Sequence, residues 1–285
     1  MPAATDATPL RTAVLTLLAL AAFAGNSLLA RAALRDTQID AASFTAIRLA
    51  SGAAVLWLIV RWRGGDVRAG SWRSALALFA YAAAFSFAYL SLTAATGALL
   101  LFGAVQVTMI GVGLARGERL RPLQWTGFAL AFGGLVGLLL PGLTAPPLAG
   151  ALLMIAAGIA WGAYSLRGRS APADATATTA GNFLRAAPMA LALALAALPW
   201  ARIDAPGTAY ALASGALTSG LGYAVWYTAL KGLRATTAAT VQLSVPVLTA
   251  LAGVLLLAEP LGTRLLLASA AVLGGIALVI AARRA

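Results

Sequence analysis

Two stretches of the 285-residue chain repeat one another: Thr96–Leu140, TGALLLFGAVQVTMIGVGLARGERLRPLQWTGFALAFGGLVGLLL, and Thr237–Ile280, TAATVQLSVPVLTALAGVLLLAEPLGTRLLLASAAVLGGIALVI. Aligned without a gap at an offset of 141, Glu118 falls on Glu259, Leu120 on Leu261, and Gly133-Gly134 on Gly274-Gly275. Each stretch is a pair of apolar segments joined at a short polar step, and about 20 apolar residues suffice to cross a bilayer as a helix. Upstream, Phe23-Ala-Gly-Asn26-Ser27 matches Trp161-Gly-Ala-Tyr164-Ser165, Arg31 falls on Arg169, and Arg48 falls on Arg185. The offset drifts by a few residues, as changes in loop length require. The chain therefore reads as two homologous halves, 1–145 and 146–285.

Composition agrees with a membrane protein. Hydrophobic residues make up 61% of the chain and charged residues 10%, and mean hydropathy is +0.91. A soluble domain carries about a quarter charged residues, and a water-facing surface could not be built from so few. Cutting at charge, Pro and Gly clusters predicts ten spans near 11–33, 40–62, 72–93, 95–115, 122–140, 147–167, 178–200, 206–230, 235–257 and 262–282. The first ten residues, with Pro2 and Pro9, read as a mobile tail. The first span is too long for a signal-peptide core and has a counterpart in the second half, so it reads as a retained helix. Five spans per half is an odd number. The second half must enter the bilayer from the opposite side, which predicts an all-α protein of two inverted five-helix repeats. In such proteins the substrate site lies near the midplane between the halves.

Charge placement supports this count. Ten spans put Arg11, Arg61, Arg63, Arg68, Arg73, Arg116, Arg119, Arg121, Arg167, Arg169, Lys231, Arg234, Arg283 and Arg284 on the side of the termini. The other side receives Arg31, Arg35, Arg202 and Arg264. Cytoplasmic loops are enriched in Lys and Arg, so both termini are expected in the cytoplasm. The net charge of +12 is thus topological, with anionic lipid as its partner rather than nucleic acid. Trp57, Trp62, Trp72, Trp125 and Trp200 lie near segment ends, where an interfacial belt holds them.

The chain has no His and no Cys, and no carboxylate deep in a predicted span. Cys/His metal sites, haem ligation, disulfides and thiol or histidine catalysis are excluded. No Walker A loop is present, so the chain does not itself hydrolyse nucleotide. No cofactor or metal is called for, and an enzyme is not expected. Glu118 and Glu259 follow helix ends and read as groups that start the next helix.

The residues suited to binding are aromatic and amide. Tyr81, Phe85 and Tyr89 recur at four-residue spacing and share a helix face, as do Tyr223 and Tyr227 beside Trp226, with Phe85 aligned on Trp226. Two such faces related by the repeat suit an apolar or aromatic solute, or a quaternary cation. Asn26, Gln106, Asn182 and Gln242 lie within spans, where an amide either bonds between helices or lines a wet cavity. Phe23, Trp161 and Tyr164 join them through the repeated motif. Arg48 and Arg185 are charges within the membrane: they pair a substrate carboxylate, or they bond helix carbonyls or snorkel. Pro188 and Pro246 fall mid-span and are expected to kink the seventh and ninth helices. The pairs Gly113/Gly117, Gly133/Gly137 and Gly158/Gly162 suit close helix packing.

Taken together, Gly117-Glu118-Arg-Leu120, Ala258-Glu259-Pro-Leu261, the glycine pairs, the Arg in the second helix of each half and Leu221-Gly-Tyr-Ala-Val-Trp-Tyr-Thr-Ala-Leu230 before Val245-Pro246-Val247 resemble the drug/metabolite transporter superfamily, in its branch of two EamA-type repeats. Val105 stands where the first repeat often has the Pro that Pro246 supplies in the second. The resemblance covers nearly the whole chain. It implies a secondary transporter of the bacterial inner membrane that exports small metabolites, most commonly amino acids, and the aromatic amino-acid and paraquat exporters are the branch it suggests. The implied partners are a small-molecule substrate and the lipid bilayer. Rival readings are a flippase for lipids or lipid-linked carriers, and an exporter of cationic drugs.

Overall fold

The computed structural model describes residues 9–117, 119–142, 145–169, 174–233, 238 and 241–282. Glu118, Arg234, Arg283, Arg284 and the tail before Pro9 lie outside them. The described residues form helices joined by turns and short irregular connectors, with no strand among them. The helices are α1 (Pro9–Asp36), α2 (Ala41–Trp62), α3 (Trp72–Tyr89), α4 (Ala94–Ala115), α5 (Pro122–Leu139), α6 (Leu148–Arg169), α7 (Ala175–Ala196), α8 (Ala205–Ala213), α9 (Gly222–Leu230), α10 (Ser244–Leu257) and α11 (Thr263–Ala281). A π-helical stretch, Ser214–Leu221, runs without a break from α8 into α9. Among the described residues seven helices, α1, α2, α4, α5, α6, α7 and α11, are long and apolar enough to cross a membrane. A multi-pass membrane protein follows, because in hydrocarbon every backbone N–H and C=O must be bonded within its own helix.

Helix starts follow local chemistry. Asp40 accepts from the backbone N–H of Ala42 and Ser43, Ser71 from Ser74, Thr93 from Thr96, Asp174 from Thr176 and Ala177, and Asp204 from Gly207. Each satisfies donors the first turn leaves open. Pro9 opens α1, where a residue without an N–H costs nothing, so the helix begins inside the expected tail. The two prolines behave differently. Pro188 sits within α7, which runs unbroken from Ala175 to Ala196. Pro246 is the third residue of α10 and follows a break at Leu243. Its missing donor falls in a first turn, so the ninth span is interrupted there rather than kinked mid-helix.

Glycines set the closest helix approaches. On α5 and α11, a Cβ at Gly127 would meet the carbonyl of Gly275 at 2.5 Å, and one at Gly275 would meet the carbonyl of Gly127. Gly158 and Gly162 press α6 onto Ala104 and Thr108 of α4. Gly133 and Gly137 face open space instead, so this pair does not pack. The outer shell is apolar, with Leu17, Phe132, Leu255 and Leu267 exposed. Trp57, Trp62, Trp72, Trp125 and Trp200 are exposed as well, whereas Trp226 is buried.

Candidate functional site

Aromatic side chains from four helices meet in the interior. The Trp161 ring (α6) lies 4.8 Å from Tyr81 (α3) and 5.2 Å from Tyr223 (α9), centroid to centroid. Tyr81 lies 5.5 Å from Phe85, and Phe23 (α1) stands edge-on to Tyr223 at 5.9 Å. These five rings, with Asn26, Ser27, Leu101, Phe102, Thr218 and Gln242, line a chamber of about 30 Å³. That is one water's share of liquid volume, whereas sites for organic ligands run to several hundred Å³. The rings are in contact, and a solute enters only if they part.

Polar groups sit on one side of the rings. Asn26 Nδ2 donates to the Tyr81 hydroxyl at 3.3 Å, and Asn26 Oδ1 accepts from Ser214 Oγ at 2.8 Å and Thr218 Oγ1 at 3.3 Å. Arg48, 1% exposed, donates through a terminal nitrogen to the same Tyr81 hydroxyl at 3.0 Å and through Nε to Ser219 Oγ at 3.3 Å. Its guanidinium also lies 4.7 Å from the Phe85 centroid and 5.2 Å from that of Tyr81. Ser214, Thr218 and Ser219 all come from the π-helical stretch. A Cβ at Gly215 would strike Ser51 Oγ and the Arg48 carbonyl, so only glycine lets this stretch lie against α2.

The other expected binding residues lie elsewhere. Tyr164 stands behind Trp161 at 5.4 Å and accepts from Asn182 Nδ2 at 3.4 Å. Asn182 also accepts from the Ser71 N–H at 2.9 Å, and it lines a separate vestibule of about 550 Å³ with Ser74, Arg116 and Thr178. It therefore holds the start of α3 and faces the vestibule, not the chamber. Tyr89 is fully buried under α4, where Gly97 leaves room for its ring. Gln106 is buried one turn beyond Phe102 and is absent from the lining. Trp226 packs with Ala19 and Ala238 in a small cluster beside the main core. Tyr227 is partly buried against both clusters, outside the chamber. The expected pair of matching aromatic faces is thus unequal: Phe85 lines the chamber and its counterpart Trp226 does not. Arg185 donates to the carbonyls of Arg68, Ala69 and Gly181 at 2.8–2.9 Å, which pins the connector before α3.

One cluster was not legible in advance. Glu259 is 5% exposed and pairs with Arg31 Nε at 2.8 Å. Its other oxygen accepts from the Ala94 N–H at 2.7 Å, so it caps α4 rather than the helix that follows it in sequence. Arg31 also donates to the Tyr89 carbonyl at 3.0 Å, and Arg35 to the Leu257 carbonyl at 3.0 Å. These contacts seal α1, α3, α4 and α10 together at one face, and the vestibule opens at the other. The alignment of Glu118 with Glu259 marked both positions, but no local pattern names a partner 228 residues away.

A model of the EamA-like transporter family matches residues 148–281. An uncharacterized protein of Pseudomonas aeruginosa is 62% identical over 275 residues, which covers 96% of either chain. A crystal structure of a protein aligns with 98% of this chain and 100% of its own at a TM-score of 0.66 and 22% identity, a likeness of fold.

Proposed function

We propose that the chain, whose residues 148–281 match the EamA-like transporter family, exports small metabolites, foremost neutral and aromatic amino acids, by alternating access to the aromatic chamber. The family implies a small-molecule substrate and a bilayer. The observation that carries the mechanism is the pairing of a contracted chamber with one sealed and one open face. The Arg31–Glu259 seal closes the first, and Trp161, Tyr164 and Asn182 stand between the chamber and the vestibule of the second.

Ten spans as two inverted five-helix repeats give this arrangement its symmetry. Contacts that exchange the halves support it: α2 packs on α7 and α5 on α11, while α3 against α6 is matched by α1 against α9. The excess of Arg on the vestibule side supports cytoplasmic termini in a bacterial inner membrane. In this reading the vestibule faces the cytoplasm and the seal faces outward, as an exporter loading its solute requires. The Tyr and Trp rings suit an aromatic or aliphatic side chain, and Asn26 with its hydroxyl neighbours suits the polar end.

Uptake into proteoliposomes tests the proposal. Labelled phenylalanine, tryptophan, threonine and methionine are offered with and without a pH gradient. Saturable flux that unlabelled amino acid competes is expected. No flux above empty liposomes for any of the four overturns the amino-acid reading.

A further inference from the structure

We infer that Arg48 is the anchor for an anionic group of the transported solute, a carboxylate, so that the chamber selects organic acids and amino acids through that group and disfavours cations. The inference rests on the chamber being the solute site. It goes further in assigning a charge to the solute and a residue to bind it.

The guanidinium lies within α2, eight residues beyond the Asp40 cap and so about 12 Å along the helix. A charge there without a counter-ion is costly. Among the described residues Arg48 has no carboxylate partner. Asp40 is occupied by α2's own first turn and by the Arg202 N–H, and Glu259 by Arg31 and Ala94. The contacts of Arg48 are two neutral hydroxyls and two ring faces, and its remaining terminal nitrogen is buried without a hydrogen-bond partner. Arg185, its counterpart in the second half, shows what a structural arginine looks like in this fold: three backbone carbonyls within 2.9 Å. Arg48 has no carbonyl.

The neighbouring hydroxyl points the same way. The Tyr81 oxygen accepts from both Asn26 and Arg48, so its own O–H is left to donate. Tyr81 lines the chamber, and Arg48, not itself in the lining, lies directly against the Tyr81 and Phe85 rings that are. Unused donors on Tyr81 and Arg48 thus stand together, while the nearby acceptor, Asn26 Oδ1, already takes two hydroxyls. A site with surplus donors and one positive charge binds a carboxylate, whose two oxygens accept from both at once. An ammonium or quaternary group would meet the guanidinium with like charge.

Ligand-induced thermal stabilisation of the detergent-purified protein tests this without requiring transport. Monocarboxylates from acetate to phenylacetate are titrated, each against its own amide. Wild type is expected to bind the best acid about tenfold or more tighter than its amide, the worth of a charge-assisted hydrogen bond. Arg48→Gln is expected to remove the preference, and Tyr81→Phe, which keeps the ring, to reduce it. Arg185→Gln, at the structural counterpart, is expected to retain it. Acid and amide binding within twofold of each other, or no binding of either across the series, overturns the inference. So does a preference that survives in folded Arg48→Gln. If Arg48→Gln fails to fold, Tyr81→Phe and Ser219→Ala decide, and an undiminished preference in both overturns it. Acid preference without amino-acid flux in proteoliposomes would retain the anchor and reject the amino-acid reading.

Discussion

Glu259→Gln should open the sealed face without unfolding the protein. Glutamine keeps an oxygen for the Ala94 N–H, so the α4 cap survives, and the charge is what is lost. Two unit charges about 4 Å apart attract by about 4 kcal/mol at an effective dielectric constant of 20. The observed Nε–Oε1 distance is 2.8 Å with both side chains largely buried. Against that stands the desolvation of the pair, which the substitution partly relieves. Arg31 keeps the Tyr89 carbonyl, and Arg35 keeps Asp36 and the Leu257 carbonyl. The net loss is therefore about 2–3 kcal/mol, in the range of hydrogen bonds to charged groups. Because the pair joins α1 to the connector between α10 and α11, it exists only while this face is closed. The whole loss then enters the closed-to-open equilibrium, a shift of about thirty- to a hundred-and-fiftyfold. The chain has no cysteine, so any introduced one is the sole thiol. Ser27→Cys places it in the chamber lining one turn below Arg31, at a position 1% exposed. Its maleimide labelling rate in detergent should rise about thirtyfold or more when Glu259→Gln is added, the low end of that shift. A rate within twofold of the parent, in protein that remains monodisperse, would refute the view that this pair holds the face shut.

Three further outcomes follow from the packing. Trp161→Ala should raise the KM for uptake by about tenfold through loss of ring contact with the solute, whereas Trp226→Ala, outside the lining, should leave KM near wild type; equal effects in proteoliposomes would count against the chamber as drawn. Arg185→Gln should lower stability by about 2–3 kcal/mol through its lost carbonyl bonds, read as a fall in Tm. Gly215→Ala should cost at least about 1–3 kcal/mol by overpacking against α2, while Gly133→Ala, facing open space, should leave Tm unchanged or slightly raised.

Helix positions were legible because the span rule is local: α2, α3, α4 and α8 begin within one residue of the spans it predicts, and α7 begins at Ala175, three residues before its span. Seven of the eleven residues that line the chamber were legible too. Tyr81, Phe85 and Tyr223 are large aromatics at helical spacing, the repeat points to Phe23, Asn26 and Trp161, and Gln242 is an amide within a span. Tyr89, Trp226 and Tyr227 have the same spacing but lie elsewhere, since a four-residue period places side chains along one face and cannot say how far along it the neighbouring helix diverges. Asn182 and Arg185 lie outside the chamber for another reason. Both found backbone partners in the connector before α3, 111 and 116 residues away in sequence. The sequence places Glu259 as a local cap, and it does cap, but on a helix 165 residues distant.

The π-helical stretch was the least legible feature, and it explains why one arginine of the repeated pair differs from the other. Ser214–Leu221 looks like any small-residue run in an apolar span. Its i→i+5 bonding widens the turn and brings position i+5 round toward the face of position i. Ser214 and Thr218 can then both reach Asn26 while Ser219, five positions on, reaches Arg48. In a regular α-helix the fifth residue turns well away from the first. Gly215 completes the arrangement by letting this backbone touch α2 at Arg48 itself. The segment thus supplies hydroxyls, which both donate and accept, where the connector near Arg185 supplies carbonyls, which only accept. Carbonyls satisfy a guanidinium permanently. Hydroxyls hold it in place yet remain able to turn their own protons toward an arriving anion, and this is the property a binding charge needs and a structural one does not.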